Sequence, residues 1–135
     1  GPIPASVAPI DLITVFGTLM LQNQQVTIYG SGDQKRDYLH VSDVAKAVLL
    51  ASKEEESHVY NVGTGSAVSV KEIFELLSDL TGYDQLPNFE PELTGDVREI
   101  SLDSSKISQR LSWTPTVDLK VGLKSTLDPL RSKPI

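Results

Sequence analysis

The chain has 135 residues and a mass of 14.7 kDa, enough for one domain with its own core and too little for two full lobes. Its 12 Lys and Arg against 18 Asp and Glu give a net charge of −6, a field that repels polyanions and anionic bilayers, so neither nucleic acid nor a membrane is an expected partner. Cysteine is absent and only two histidines are present, which removes disulfides, thiolate nucleophiles and zinc–thiolate sites, so no metal is expected.

The chain opens with Gly1-Pro2 and has neither a charged-then-apolar leader nor an apolar run near eighteen residues. The expectation is a cytoplasmic protein that is part of something longer. Pro9 suits the first turn of a helix. Ile10, Leu12, Ile13, Val15, Phe16, Leu19, Met20 and Leu21 then cover nearly its whole circumference, which predicts burial on two sides. Val26-Thr27-Ile28-Tyr29 alternates at period two, predicting a half-buried strand with Val26 and Ile28 inward and Thr27 and Tyr29 outward. Gly30-Ser31-Gly32-Asp33 reads as a turn. Arg36 to Val41 reads as a second extended run with Arg36, Tyr38 and His40 on one face.

Asp43 is placed to cap a helix to about Ser52 with Val44, Ala47, Val48 and Ala51 inward. Glu54-Glu55-Glu56 marks an exposed exit, and His58 to Val62 predicts a third strand. After the Gly63-Thr64-Gly65 turn, Ser69 and Glu72 form a capping box for a helix with Val70, Ile73, Phe74, Leu77 and Leu80 inward, ending at a left-handed Gly82. Pro87 and Pro91 keep the following connection extended. Two short helices close the chain, one capped by Asp103 with Ile107 and Leu111 inward. The other is capped by Asp118 with Leu119, Leu123 and Leu127 inward. The sum is a single α/β (α+β) domain, with a small mixed sheet and about five helices.

A search for chemistry returns chiefly exclusions. No phosphate-loop Gly-Lys motif and no Gly-x-Gly-x-x-Gly spacing exists, so no cofactor cradle is present. No Tyr is followed four residues later by Lys. Asp37, His40 and Ser42 have the residue types of a hydrolase triad, but strand alternation turns Asp37 and His40 to opposite faces. No catalytic residue is therefore assigned. Arg36, flanked by Tyr38 and His40, offers a planar cation for bidentate contact with phosphate or carboxylate; the other reading is a solvated strand face. Tyr29 is either a stacking platform for a base or an ordinary surface tyrosine. Asp96 and Arg98, after Gly95, either present side chains to a ligand or anchor their loop to each other. His58 reads as a strand-edge residue.

Val26 to Val44, Tyr60-Asn61-Val62-Gly63-Thr64-Gly65, Gly95-Asp96-Val97-Arg98 and Leu111-Ser112-Trp113-Thr114-Pro115 together resemble the extended short-chain dehydrogenase/reductase family. Within it they look like the NAD-dependent nucleotide-sugar epimerases and dehydratases, of the UDP-glucose 4-epimerase kind. The resemblance covers only the C-terminal, substrate-binding portion, over about Pro9 to Leu130. It implies that the N-terminal Rossmann domain, which carries the glycine fingerprint, the Tyr-x-x-x-Lys pair and NAD, is absent from this chain. The chain alone then binds no cofactor and is inactive.

By the same resemblance Arg36 contacts the diphosphate of a nucleotide sugar, and Thr27 and Tyr29 line the base. Tyr38 belongs to the same run, Val70 forms an apolar wall, and Asp96 contacts the ribose. Leu93-Thr94 stands where the family has Arg-Pro, and Arg98 is the neighbouring cation that would substitute. Ser6 replaces a usual Asn, and Ser112 a helix-ending Gly. Two partners are implied: the missing Rossmann lobe, or, for a stand-alone module without catalysis, a second copy docked through Ile13, Phe16 and Met20 on the first helix.

Overall fold

The computed structural model describes residues 8–92 and 103–131. The apolar run after Pro9 forms helix α1 (Ala8–Leu21). Ile13, Phe16 and Met20 are 8%, 2% and 4% exposed, whereas Val15 on the opposite side is 53% exposed. Leu12, Leu19 and Leu21 pack partly buried against the same core, so among the described side chains the helix is open at Thr14 and Val15 and covered around the rest. This also corrects the stand-alone alternative as drawn, because Ile13, Phe16 and Met20 are already spent in the chain's own core.

Strand β1 (Thr27–Tyr29) follows the expected alternation: Val26 and Ile28 are fully buried, and Tyr29 faces out. Strand β2 (Lys35–Arg36) is shorter than the extended run predicted. It pairs antiparallel with β3 (Val68–Ser69), Arg36 opposite Val68. Helix α2 (Val41–Ala51) comes between them in the chain, and α3 (Val70–Thr81) follows β3 directly. The connection after α3, expected to be merely extended, contributes strand β4 (Asn88–Glu90). It pairs parallel with β1, Tyr29 opposite Glu90. Helices α4 (Ser105–Leu111) and α5 (Leu119–Arg131) complete the fold. The expectation of a small α/β domain with five helices is met, its strands arranged as two separate two-stranded sheets.

The capping box is in place: the Glu72 amide donates to Ser69 Oγ at 3.1 Å. Gly82 ends α3 at φ 77°, in the left-handed region. Three local expectations are corrected. The cap of α2 is His40, whose Nδ1 accepts from the Ser42 amide at 3.1 Å, while Asp43 lies in the first turn with its carboxylate turned to other partners. Val48, expected inward, is 63% exposed. Residues 58–62 form no strand, because among the described residues no strand lies beside them to close a ladder.

The main core lies between α1, α3, α5 and β1. Phe74 meets Phe16 and Tyr83 edge-on, with ring centroids 6.3 and 6.0 Å apart, the geometry the ring quadrupoles favour. Tyr83 also fastens the start of β1, donating to Gln24 O at 2.7 Å and accepting from the Val26 amide at 3.2 Å. A second, smaller cluster gathers Ala47, Ile107 and Trp113 where α2 meets α4.

Candidate functional site

β1 and β4 end side by side, and the turn after β1 folds over the start of α3. The Lys71 amide donates to Gly32 O at 3.0 Å and the Val70 amide to Gln34 O at 3.1 Å. Gly32 has φ 82° and lies so close to the Lys71 side chain that a Cβ there would stand 2.4 Å from Lys71 Cγ, so the turn needs glycine on both counts. Gln34 Nε2 donates to Tyr29 O at 2.9 Å. This strap places the exposed Tyr29 and half-buried Thr27 on one rim. Val70 packs below it in the core at 6% exposure.

Arg36 is half-buried on β2 and its Nη1 donates to Lys35 O at 2.7 Å. β1 and β2 belong to different sheets, so Arg36 is not on a strand paired with that of Tyr29. Tyr38 senses the guanidinium electrostatically. Burial drives the Tyr38 pKa up, the Arg36 charge pulls it back, and burial wins, leaving it at about 12. The phenol is therefore neutral at physiological pH. Its Oη is buried and has no hydrogen-bond partner, a donor left unused inside the protein.

Two carboxylates the sequence reading did not assign to the site hold the walls around Tyr38. Asp37 accepts from the Thr64 amide at 3.0 Å, from Thr64 Oγ1 at 2.6 Å and from the Gly65 amide at 2.9 Å, which ties the Gly63–Gly65 turn to the Arg36-Asp37-Tyr38 run. Asp43 is fully buried. It accepts from the Thr116 and Val117 amides at 3.0 Å each and from Thr116 Oγ1 at 2.9 Å, while its backbone carbonyl accepts from Trp113 Nε1 at 3.0 Å. Desolvation is the largest single influence on Asp43 and raises its pKa. Hydrogen bonds from Val117 and Thr116, with the Lys46 charge, outweigh it and hold the carboxyl below its ordinary 3.8. The available signal was an Asp leaving a strand opposite a Gly-Thr-Gly turn, and an Asp with a Thr-Pro-Thr loop to receive it.

The segments fastened by Asp37 and Asp43 form the two sides of a cleft of about 370 Å³. Thr64, Ser66 and Val68 line one side, Thr116, Val117 and Leu119 the other, and Tyr38 lies between them. A smaller apolar cavity of about 90 Å³ adjoins it, sharing Tyr38 and adding His40, Leu123 and Thr126. Neither is lined by Arg36, Thr27 or Tyr29. The expected common face of Arg36, Tyr38 and His40 is thus divided, with Tyr38 and His40 turned to the smaller cavity. No triad forms. His40 Nδ1 is 2.7 Å from Ser42 Oγ as part of a helix cap, whereas Asp37 is engaged with the 64–65 turn. Asp96 and Arg98, with Leu93-Thr94, lie outside the described residues.

Away from this cleft, His58 belongs to a polar cluster rather than a strand edge. Arg110 donates to His58 Nε2 at 2.8 Å, to Glu54 at 3.0 Å and to Tyr60 Oη at 3.1 Å, and Tyr60 Oη donates to Glu54. Among the described residues no cluster of His, Asp and Glu has the arrangement of a metal site, and no helix is long and apolar enough to cross a membrane.

Comparison with known proteins places these features in a family context. Residues 2–126 match the family model for GDP-mannose 4,6 dehydratase. A crystal structure of UDP-glucose 4-epimerase from Thermotoga maritima with UDP-glucose superposes with a TM-score of 0.86 at 41% identity, over 89% of this chain and 39% of that one. The UDP-glucose 4-epimerase of Thermus thermophilus in complex with NAD gives a TM-score of 0.80 at 30% identity, over 90% and 40%. The dTDP-glucose 4,6-dehydratase of Streptomyces griseus is 33% identical over 121 residues, 88% of this chain and 37% of that protein. The chain spans about two-fifths of the length of these relatives.

Proposed function

The chain belongs to the GDP-mannose 4,6-dehydratase family, within the extended short-chain dehydrogenase/reductases, and on that premise we propose that it is the substrate-binding portion of a cytoplasmic sugar-nucleotide epimerase or dehydratase. In this reading Arg36 neutralises the diphosphate of a nucleotide sugar, Thr27 and Tyr29 face the base, Val70 backs that rim, and Tyr38 turns its phenol toward the ligand. Asp96 and Arg98 supply the ribose contact and a second cation. The observation that carries the reading is the Arg36-Asp37-Tyr38 run: a cation at the end of β2, followed within two residues by a neutral buried phenol whose donor has no partner. Asp37 and Asp43 act as positioning residues, holding the 64–65 and 116–117 segments against Tyr38.

The turn after β1 leads into a strand rather than a helix N-terminus, so it lacks the amide cradle a dinucleotide pyrophosphate requires. In this reading redox chemistry belongs to the lobe this chain does not span. The chain alone is expected to retain no NAD and to turn over no sugar nucleotide.

Calorimetric titration with UDP, dTDP and GDP, with uridine as the uncharged control, tests the proposal. Weak diphosphate binding is expected, on the order of millimolar, in a pocket with one wall missing. Arg36→Ala should weaken it ten- to a hundredfold, as expected for loss of about 1.5–3 kcal/mol of charged hydrogen bonding. Equal affinity of wild type and Arg36→Ala for a diphosphate would refute the assignment of Arg36, and epimerase turnover by the chain alone would refute the division of labour.

A further inference from the structure

In the proposed site the base rim and the diphosphate cation stand on strands of different sheets. Tyr29 lies on β1, paired with β4, and Arg36 on β2, paired with β3. Among the described residues no ladder joins β1 to β2, so sheet pairing does not set the spacing of ring and guanidinium. A ligand that reaches both gains fully from the second contact only if their separation is fixed beforehand; otherwise binding must first order the connection. In this chain the connection is residues 30–35.

Backbone hydrogen bonds fasten that strap along its length. The Gly30 amide donates to Glu90 O at 2.8 Å, which holds the near end to β4, while the Lys71 and Val70 amides hold Gly32 O and Gln34 O to the start of α3. Lys71 Nζ also stands 3.6 Å from Asp33 Oδ1, with both side chains about half exposed, a weak surface tie. None of these reaches back to the Tyr29 peptide. Val26 O and the Gly30 amide both turn toward β4, to Asn88 N and Glu90 O. Successive residues of a parallel ladder alternate, so Tyr29 turns its carbonyl to the edge away from β4. There it accepts from Gln34 Nε2 at 2.9 Å. Gln34 thus holds α3 through its main-chain carbonyl and β1 through its side-chain amide, two residues before Arg36.

We infer that Gln34 is a positioning residue that fixes the distance between the base platform at Tyr29 and the cation at Arg36, so that the two act together on a nucleoside diphosphate. The amide suits the task. It donates to the carbonyl from across the turn, and being uncharged it neither competes with Arg36 for phosphate nor repels it. Gln34 acts through Tyr29 rather than on the ligand. The inference rests on the reading of Tyr29 and Arg36 as base and diphosphate contacts and adds to it the part that couples them.

NMR titrations of the chain with UDP and with inorganic pyrophosphate separate the coupling from the phosphate contact alone. Gln34→Met keeps the length of the side chain, adds no charge and removes the donor; Gln34→Ala is the second variant should the first not fold. Either should weaken UDP binding on the order of fivefold, the cost of ordering the strap at the moment of binding. Pyrophosphate, which meets Arg36 without needing Tyr29, should bind as it does to the wild type. Without ligand, the order parameters of the amides of residues 30–33 should fall from about 0.85 toward about 0.6. Equal weakening of UDP and pyrophosphate would make Gln34 a purely structural residue and overturn the inference. So would UDP binding indifferent to both variants while Arg36→Ala still weakens it. A wild-type chain that binds no UDP overturns the reading of the site itself, and the inference with it.

Discussion

Among single residues, Tyr38 stands out as a side chain whose buried hydroxyl has no hydrogen-bond partner. A buried phenol without a partner lowers stability, because its donor has left water and gained nothing. Tyr38→Phe should therefore raise stability, by about 1 kcal/mol, and at the same time weaken diphosphate binding if the hydroxyl serves a ligand. Thermal melts and titration of the same variant separate the two effects. Because the folded pKa of Tyr38 lies above the ordinary 10.0, at about 12, the phenol leaves stability independent of pH below 10 and lowers it as pH rises from 10 toward 12, where the unfolded chain ionises and the folded chain does not. Asp43 behaves in the opposite sense. Its folded pKa is depressed, so its stabilisation is present above the ordinary 3.8 and lost as pH falls through the lower, folded value. Asp43→Asn should cost about 3 kcal/mol, since one amide oxygen cannot replace two carboxylate oxygens among three donors. It should also flatten the acid limb of the stability profile, which denaturant titrations across pH would measure. Ser112 ends α4 at φ 54°, a left-handed position that favours glycine. Ser112→Gly should stabilise the chain by about 0.5–1 kcal/mol, visible as a higher melting temperature.

Packing between elements turns on Gly17, where α1 meets α5. A Cβ there would stand 2.7 Å from Leu127 Cδ2 and 3.4 Å from Leu130 Cδ1, and Leu127 is fully buried. Gly17→Ala gains about 1 kcal/mol of helix propensity but overfills a packed contact, for a cost of about 1–3 kcal/mol. The expected result is a lower melting temperature, with the circular dichroism spectrum still helical. The five helices were legible in the sequence because each carries its own apolar spacing and most carry a capping residue nearby. The strands were less legible because pairing depends on a partner distant in the chain. Asn88–Glu90, exposed on both faces, shows no alternation and becomes a strand only through β1. Residues 58–62 show the alternation but have no strand beside them among the described residues. The cap of α2 was displaced from Asp43 to His40 because Thr116 and Val117, seventy-odd residues away, claim the carboxylate.

Across the whole molecule, the residues expected around a nucleotide sugar fall into two groups. Thr27, Tyr29 and Arg36 are on strands, the first two on β1 and Arg36 on β2 of the other sheet, while Tyr38 joins the cleft fastened by Asp37 and Asp43. The motif named the cation and the phenol. It did not reveal the two carboxylate ties, since their acceptors serve backbone amides in turns whose positions only the fold defines. The central claim is that this surface receives a nucleotide diphosphate. The most direct measurement is an amide and side-chain NMR titration of the chain with UDP-glucose. The account predicts shifts that begin at Arg36 and Tyr38, extend to Thr27 and Tyr29, and vanish with Arg36→Ala. A spectrum unchanged in these residues at tens of millimolar ligand, or changed only around Val48 and Leu49, would contradict it.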